Sequence, residues 1–347
     1  MDTAAKILIT GAGGFVGRRL TLLLARSGFH NISCLVRSSR NLGPLQSLLD
    51  QEKLSSSVRF VYGDLTSKSD CARIAEGAEL IYHLAAGRGE KSFPNAFLQS
   101  AVATRNLLDA TLKAGSLQRF VNISSFSVYD TSVLSKNDRL DETCPVEKHP
   151  GRRSDAYSFA KIYQDRIVEQ YGRGHSLPYV LVRPGVVFGP GNPRITGRVG
   201  INSLGVFLHL GGSNRIPFTF VDNCAEAIFL AGVKSGIDRE AFNIVDDSIP
   251  TSRQFLRAYK RQVRDFRSVL LPKPFSYFFC WLWEKYSAWS DGQLPPVYNR
   301  QVWHTYWKKL RYDNTKAKTM LGWHPRTSLS DAFKVHFDSC KESGARC

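Results

Sequence analysis

Acidic residues are scarce in this chain: 30 aspartates and glutamates stand against 47 lysines and arginines, a formal net charge of +17 over 347 residues. Such a balance suits nucleic acid, an anionic membrane surface or anionic small molecules. The basic residues are dispersed and no nucleic-acid module is present, which excludes the first and leaves anionic ligands or lipid headgroups. Low-complexity tracts and internal repeats are missing, as is an apolar signal region ahead of the first strand, so secretion is not expected. Cysteines in metal-ligand or disulfide spacing are missing too. The seven present (Cys34, Cys71, Cys144, Cys224, Cys280, Cys340 and Cys347) are scattered and odd in number. No metal site is expected, and the thiols read as reduced in a cytoplasmic setting.

What is present begins at once. Lys6–Thr10 reads as a buried strand running into Gly11-Ala12-Gly13-Gly14-Phe15-Val16-Gly17, followed by an amphipathic helix and a second strand, Ile32–Val36. Glycines at 11, 14 and 17 allow a sharp turn, close approach to a pyrophosphate and tight helix–sheet packing, with the helix N-terminus facing the phosphates. The strand–turn–helix context makes this a dinucleotide site; the alternative is a Gly-rich turn with no ligand.

Further strands are expected at Val58–Tyr62, Leu80–Leu84, Phe120–Ile123, Tyr179–Val182 and Ala241–Val245, with helices such as Ala96–Ala114 and Ala156–Tyr171 between them. This alternation predicts an α/β fold, a doubly wound parallel Rossmann sheet with a smaller C-terminal α+β substrate lobe. Residues 1–185, with a strand returning near 241–246, are expected to form the dinucleotide-binding domain. Residues 186–240 and 247–347 would form the substrate-binding lobe.

Ligands of such sheets bind at the carboxyl ends of the strands. There lie Asp64 and Leu65 after the third strand, the aspartate as an acceptor for an adenine amino group or simply as a turn residue. Leu84, Ala85 and Ala86 end the fourth strand, small enough for a cofactor to lie against backbone. Ser125 ends the fifth strand. Tyr157 and Lys161 are four residues apart in a helical segment and share a face. A tyrosine alone, with a pKa of about 10, is a poor proton shuttle near neutrality, and a nearby ammonium lowers that pKa. With Ser125 holding a substrate oxygen, Tyr157 would exchange a proton with oxygen while hydride moves at carbon.

These residues bring a family into view. The stretches I-T-G-A-G-G-F-V-G (9–17), G-D-L (63–65), Y-H-L-A-A (82–86), V-N-I-S-S-F-S-V-Y (121–129), Y-S-F-A-K (157–161), R-P-G-V-V-F-G-P-G (183–191), F-V-D-N (220–223) and D-N-T-K-A-K-T-M-L-G-W-H-P (313–325) span nearly the whole chain. In that order they resemble the extended short-chain dehydrogenase/reductases, the NAD-dependent epimerase/dehydratase superfamily. The layout of the C-terminal part resembles the 3β-hydroxysteroid and sterol-dehydrogenase-like branch. The resemblance implies Ser125, Tyr157 and Lys161 as the catalytic set, with Ser124 as the alternative serine. It implies that Pro184 and Val187 border the nicotinamide, and that helices Ala96–Ala114 and Ala156–Tyr171 form a homodimer contact. Two departures stand out. The family's Asn-x-x-Gly-Thr reads Ser100-Ala101-Val102-Ala103-Thr104, and its V-Y-G reads Val128-Tyr129-Asp130.

The second strand ends in Arg37-Ser38-Ser39-Arg40, where NAD sites place Asp or Glu and an arginine suits a 2′-phosphate. NADP(H) is favoured, with Ser38, Arg40 and Arg18 as further donors and NAD(H) as the alternative. An arginine there fits net carbonyl/alcohol interconversion. The alternatives are a nucleotide-sugar epimerase or dehydratase with internally recycled NAD, and an NADP-binding sensor without turnover. Substrate contacts are expected from Arg88, Ser125 and Ser127, and from Arg194, Arg198 and Arg215, where related nucleotide-sugar enzymes position a diphosphate. The aromatic stretch Leu271–Trp283, with Tyr286, Trp289 and then Pro295-Pro296, reads first as lobe core. It reads otherwise as an apolar pocket wall or a peripheral membrane contact. The substrate is therefore a small molecule, an apolar ketone or alcohol or a nucleotide sugar.

Overall fold

The computed structural model describes residues 1–38, 42–87, 89–90, 92–153, 155–203, 205–290 and 299–343. Its strands are β1 (Ile7–Thr10), β2 (Ile32–Val36), β3 (Val58–Tyr62), β4 (Leu80–His83), β5 (Arg119–Ile123), β6 (Arg139–Leu140), β7 (Tyr179–Pro184), β8 (Val186–Phe188), β9 (Gly200–Ser203), β10 (Val206–His209), β11 (Phe218–Phe220), β12 (Ala241–Ile244), β13 (Ser268–Leu270) and β14 (Arg311–Tyr312). Its helices are α1 (Phe15–Arg26), α2 (Gly43–Gln51), α3 (Lys68–Ala75), α4 (Phe93–Phe97), α5 (Ala103–Ala114), α6 (Ala156–Gly174), α7 (Val221–Val233), α8 (Ser252–Gln262), α9 (Lys273–Trp289), α10 (Arg300–Tyr306) and α11 (Leu329–Glu342).

β1 shows how the sequence dictates the layers. Ile7 and Ile9 point to one face and Leu8 to the other, and all are buried. A strand apolar on both sides needs helices on both sides. α1 and α7 cover one face of the sheet, and α3, α5 and α6 cover the other. Seven parallel strands run in the order β3-β2-β1-β4-β5-β7-β12. All seven strands expected from the sequence are present, and the order reverses between β1 and β4, which opens a crevice at their carboxyl ends.

Local signals set the helix boundaries beside that crevice. Asp155 caps α6 by accepting from Ser158 N at 2.7 Å, and α5 stops at Gly115 in the left-handed region. The single helix expected over Ala96–Ala114 is instead α4, a π-helical stretch Leu98–Val102 and α5. In the π stretch Ser100 Oγ accepts from Gly87 N at 2.9 Å, tying the helix to the loop after β4.

Outside the main sheet β9, β10 and β13 form one small sheet, with β8 paired to β11 and β6 to β14. An aromatic core of Phe188, Phe218, Phe220, Phe255, Tyr259 and Phe337 lies beneath. The aromatic stretch 271–289 is not part of it, which corrects the reading of that stretch as lobe core. α9 buries its small face (Ser276, Cys280, Ser287) and leaves Phe275, Phe278, Phe279, Leu282, Tyr286 and Trp289 exposed, the last at 78%. Trp303 of α10 fixes this orientation by donating its Nε1–H to Ser276 Oγ at 3.0 Å. Pro295-Pro296 lie outside the described residues. Among the described residues no helix is long and apolar enough to cross a membrane; Cys34, Cys71, Cys144, Cys224 and Cys280 are buried free thiols, and Cys340 is buried.

Candidate active site

One cavity of about 1010 Å³ runs along the carboxyl ends of β1, β2, β4, β5 and β7. At its floor is the glycine turn. Gly11 has φ +74°, and a Cβ there would meet Leu84 C and Ala85 N at 3.0 Å; a Cβ on Gly17 would run into the backbone of Gly11 and Ala12. α1 starts directly after the turn with no side-chain cap and no acid in its first turn. Its positive end is thus left to whatever lies in the cavity. Gly14, Phe15, Val16, Leu84, Ala85 and Ala86 continue the lining. A strip of bare backbone beside an uncapped helix start fits a dinucleotide pyrophosphate.

At one end of the strip Arg37 and Ser38 line the cavity. Arg37 Nη1 donates to Gln99 Oε1, so the guanidinium is held across the groove. Asp64 and Leu65 lie beside it, and Asp64 Oδ1 accepts from Thr66 N (2.8 Å) and Oγ1 (2.9 Å), the local turn bond of an aspartate. Arg40 lies outside the described residues.

At the other end β5 and α6 bring Ser125, Tyr157 and Lys161 to the same cavity, with Pro184 and Val187 bordering it. The two serines differ. Ser124 is 2% exposed and donates to Asp165 Oδ2 at 2.7 Å. That carboxylate also receives Asn122 Nδ2 at 3.0 Å and Arg183 Nε and Nη2 at 3.3 and 3.2 Å. Ser125 Oγ accepts from Ser127 N at 3.2 Å. Lys161 is buried, and its Nζ donates to Ile123 O at 2.6 Å and Gln164 Oε1 at 2.5 Å. Burial pulls its pKa down to about 8, partly opposed by the Asp165 charge. An ammonium kept charged but poorly solvated is the neighbour that favours a phenolate.

The far wall carries Arg194, Ile195, Phe218, Phe255, Tyr306 and Phe126. Ser127 also lines the cavity, and its Oγ has no hydrogen-bond partner among the described residues. Arg198 is buried, donates to Thr305 O at 2.8 Å and lies 5.4 Å from the Tyr306 ring centroid. Arg215 is not brought to the cavity. It is exposed, forms a bridge with Thr251 and donates to Ile249 O. Arg88 lies outside the described residues. Sequence reasoning missed Gln99, Gln164 and Tyr306. Gln164 had one visible signal, its place three residues after Lys161 on the same helix.

Comparison with known proteins supplies the family. Over 97% of its length and 80% of the relative's, the chain is 26% identical to the 3beta-hydroxysteroid-dehydrogenase/decarboxylase isoform 1 of Arabidopsis thaliana. It is 28% identical to short-chain dehydrogenase/reductase family 42E member 1 of Macaca fascicularis, over 98% of the chain and 90% of the relative. Among solved structures, UDP-glucuronic acid 4-epimerase from Bacillus cereus in complex with UDP-glucuronic acid and NAD superposes with a TM-score of 0.72 at 22% identity. That match covers 97% of this chain and 99% of the other and shows a common fold. Residues 7–244, more than half of the sequence, match one family model, and the chain belongs to the NAD dependent epimerase/dehydratase family.

Proposed function

We propose that the protein is an NADP(H)-dependent oxidoreductase that interconverts a carbonyl and a secondary alcohol on an apolar small molecule. The observation carrying this reading is a buried ammonium, Lys161, in the same cavity wall as Tyr157 and Ser125. In it Tyr157 exchanges the proton with the substrate oxygen, Lys161 lowers the phenol's pKa, and Ser125 fixes the oxygen by hydrogen bonding. The cofactor, with its pyrophosphate against Gly11–Gly17, Ala85 and Ala86 alongside and its nicotinamide bordered by Pro184 and Val187, would supply hydride exchange at carbon. Arg37 at the end of β2 supports the 2′-phosphate form, because a guanidinium pairs with phosphate where a carboxylate would repel it. Asp64 and Ser38 would complete the adenosine end.

Two observations favour an apolar ketone or alcohol over a nucleotide sugar. The far wall sets Phe126, Ile195, Phe218, Phe255 and Tyr306 beside Arg194, Thr196 and Arg198, and of the three arginines expected for a diphosphate, Arg215 is elsewhere and Arg198 already donates to Thr305 O and lies over the Tyr306 ring. The Arabidopsis relative's name points the same way. A sensor without turnover would have no use for a tyrosine placed in one cavity wall with a buried ammonium, Lys161. The test is Tyr157→Phe assayed with NADPH and a panel of ketones and steroid-like carbonyls. Turnover should fall to background with NADPH affinity nearly unchanged; retained turnover would remove Tyr157 from the chemistry.

This reading includes a reducing, cytoplasmic setting, supported by the buried free thiols of Cys34, Cys71, Cys144, Cys224 and Cys280, and a homodimer through α5 and α6, supported by exposed Leu98 and the row Phe97–Phe159–Tyr163 beside it. It includes peripheral contact of α9 with a membrane surface, supported by the exposed aromatic face.

A further inference from the structure

Beneath the cavity, four neutral side chains from four elements are fully buried: Thr10 on β1, His83 on β4, Thr104 on α5 and Gln164 on α6. His83 Nδ1 lies 2.8 Å from Thr10 Oγ1, and its Nε2 lies 2.8 Å from Thr104 Oγ1 and 3.0 Å from Gln164 Nε2. Gln164 Nε2 also donates to Thr104 Oγ1 at 2.8 Å and Ala85 O at 3.3 Å. With its amide nitrogen so fixed, its Oε1 can point only at Lys161 Nζ, 2.5 Å away. Ser100, where the resemblance would put an asparagine, is spent on Gly87 N.

From this we infer that Gln164 is the positioning residue of the site, holding the Lys161 ammonium in place through a relay of uncharged groups rooted in the sheet. The inference rests on the proposed role of Lys161 beside Tyr157. An ammonium has three donors. Two are taken in the core by Ile123 O and Gln164 Oε1, which leaves the third toward the cavity that Lys161 lines. A carboxylate in Gln164's place would fix the ammonium but neutralise its field on the phenol. An apolar side chain would leave a buried charge short of one acceptor, at a desolvation cost that favours the neutral amine. The amide avoids both.

The charged and titratable groups around Lys161 are few. On its own helix are Tyr157 and Asp165, and the Asp165 carboxylate is already shared among Ser124, Asn122 and Arg183 from β5 and β7. From β4 comes His83, which burial and the Lys161 charge pull down to about 3, so it is neutral at working pH. β1 and α5 present only hydroxyls.

The test is direct titration of Lys161 in the full chain carrying lysine labelled with ¹³C at Cε, its resonance assigned by its loss in Lys161→Met. The wild-type midpoint should lie near 8. Gln164→Met should lower it by ~1 unit and Gln164→Glu raise it by ~1 unit, the scale on which one hydrogen bond or neighbouring charge acts. A merely structural role would lower the melting temperature of both variants without moving the midpoint, and that result, or two shifts of the same sign, would overturn the inference. If Gln164→Met does not fold, Gln164→Glu decides alone: an unmoved or lowered midpoint counts against it. Failure of the proposed chemistry shows elsewhere, as turnover surviving Tyr157→Phe, and leaves the Lys161 midpoint where it is.

Discussion

Ser124 Oγ donates to the Asp165 carboxylate at 2.7 Å, so of two adjacent serines that both line the cavity one hydroxyl proton is committed to the core, while Ser125 Oγ only accepts, from Ser127 N. The pair should therefore separate stability from activity. Ser125→Ala should cost at least ~10²-fold in turnover, as loss of a preorganised donor to a reacting oxygen does, with little change in stability. Ser124→Ala should cost about 1–3 kcal/mol, because a buried carboxylate loses a donor, and leave most turnover. Urea unfolding and kcat/KM on both variants check this, and the reverse pattern would make Ser124 the reacting hydroxyl.

The seven-stranded sheet was legible because its strands are short, mostly apolar runs, and the central ones, buried on both faces, leave that trace whatever their neighbours are. The glycine turn was legible for the same reason: its demand for bare backbone is local. What could not be read is set by distant partners. The break of Ala96–Ala114 at the π stretch depends on Ser100 meeting Gly87 N. Gln164 has no meaning until His83, Thr104 and Thr10 arrive from three other elements. Arg215 leaves the cavity because its backbone bridges to Thr251. α9 was misread because composition says that a helix is aromatic but not which face it buries.

Arg37, held across the groove by Gln99, should decide between the two cofactors. Arg37→Asp is expected to weaken NADPH binding at least tenfold, by about 1.4 kcal/mol or more, while NADH binding holds or improves. Calorimetric titration with both nucleotides reads this. Equal affinity of the wild type for NADH and NADPH would remove the 2′-phosphate from the reading.

His83 should make the fold acid-sensitive. Its folded-state pKa is pulled down to about 3, against roughly 6.5 when unfolded. Between those values the unfolded chain binds a proton that the folded chain does not, so stability falls as pH drops through this window, by about 1.4 kcal/mol per pH unit for the one site. His209, pulled down to about 4 by burial and the Arg253 charge, adds to the same window. His83→Gln should be less stable at pH 7.5 but show a shallower fall between pH 6 and 4.5. Urea titrations across that range measure the slope, and identical slopes would mean that His83 titrates normally in the folded protein.

α9 presents its apolar stripe outward, and the proposed peripheral membrane contact predicts that an anionic bilayer meets it. Phe275, Phe278, Phe279, Leu282, Tyr286 and Trp289 fall on one face at helical spacing, and Val269 and Leu270 of β13, just ahead of the helix in the chain, are exposed as well. Soluble surfaces seldom carry so many contiguous large apolar groups without a binding role, and Trp and Tyr favour the headgroup level. Near the N-terminal end of α9 the charges of Lys136 and Lys309 lie close enough to act on Lys273, and the chain carries +17 overall, a sign suited to acidic headgroups. Vesicles of phosphatidylcholine with phosphatidylserine should therefore bind the protein more tightly than pure phosphatidylcholine, with a blue shift of tryptophan fluorescence. Added salt should weaken this binding, and serine at positions Phe278, Phe279 and Trp289 should abolish it without lowering stability, since those side chains bury little. Equal sedimentation of the wild type and the triple variant with anionic vesicles would free this face for another occupant, and a change in the oligomeric state of the variant would identify that occupant as a second copy of the chain.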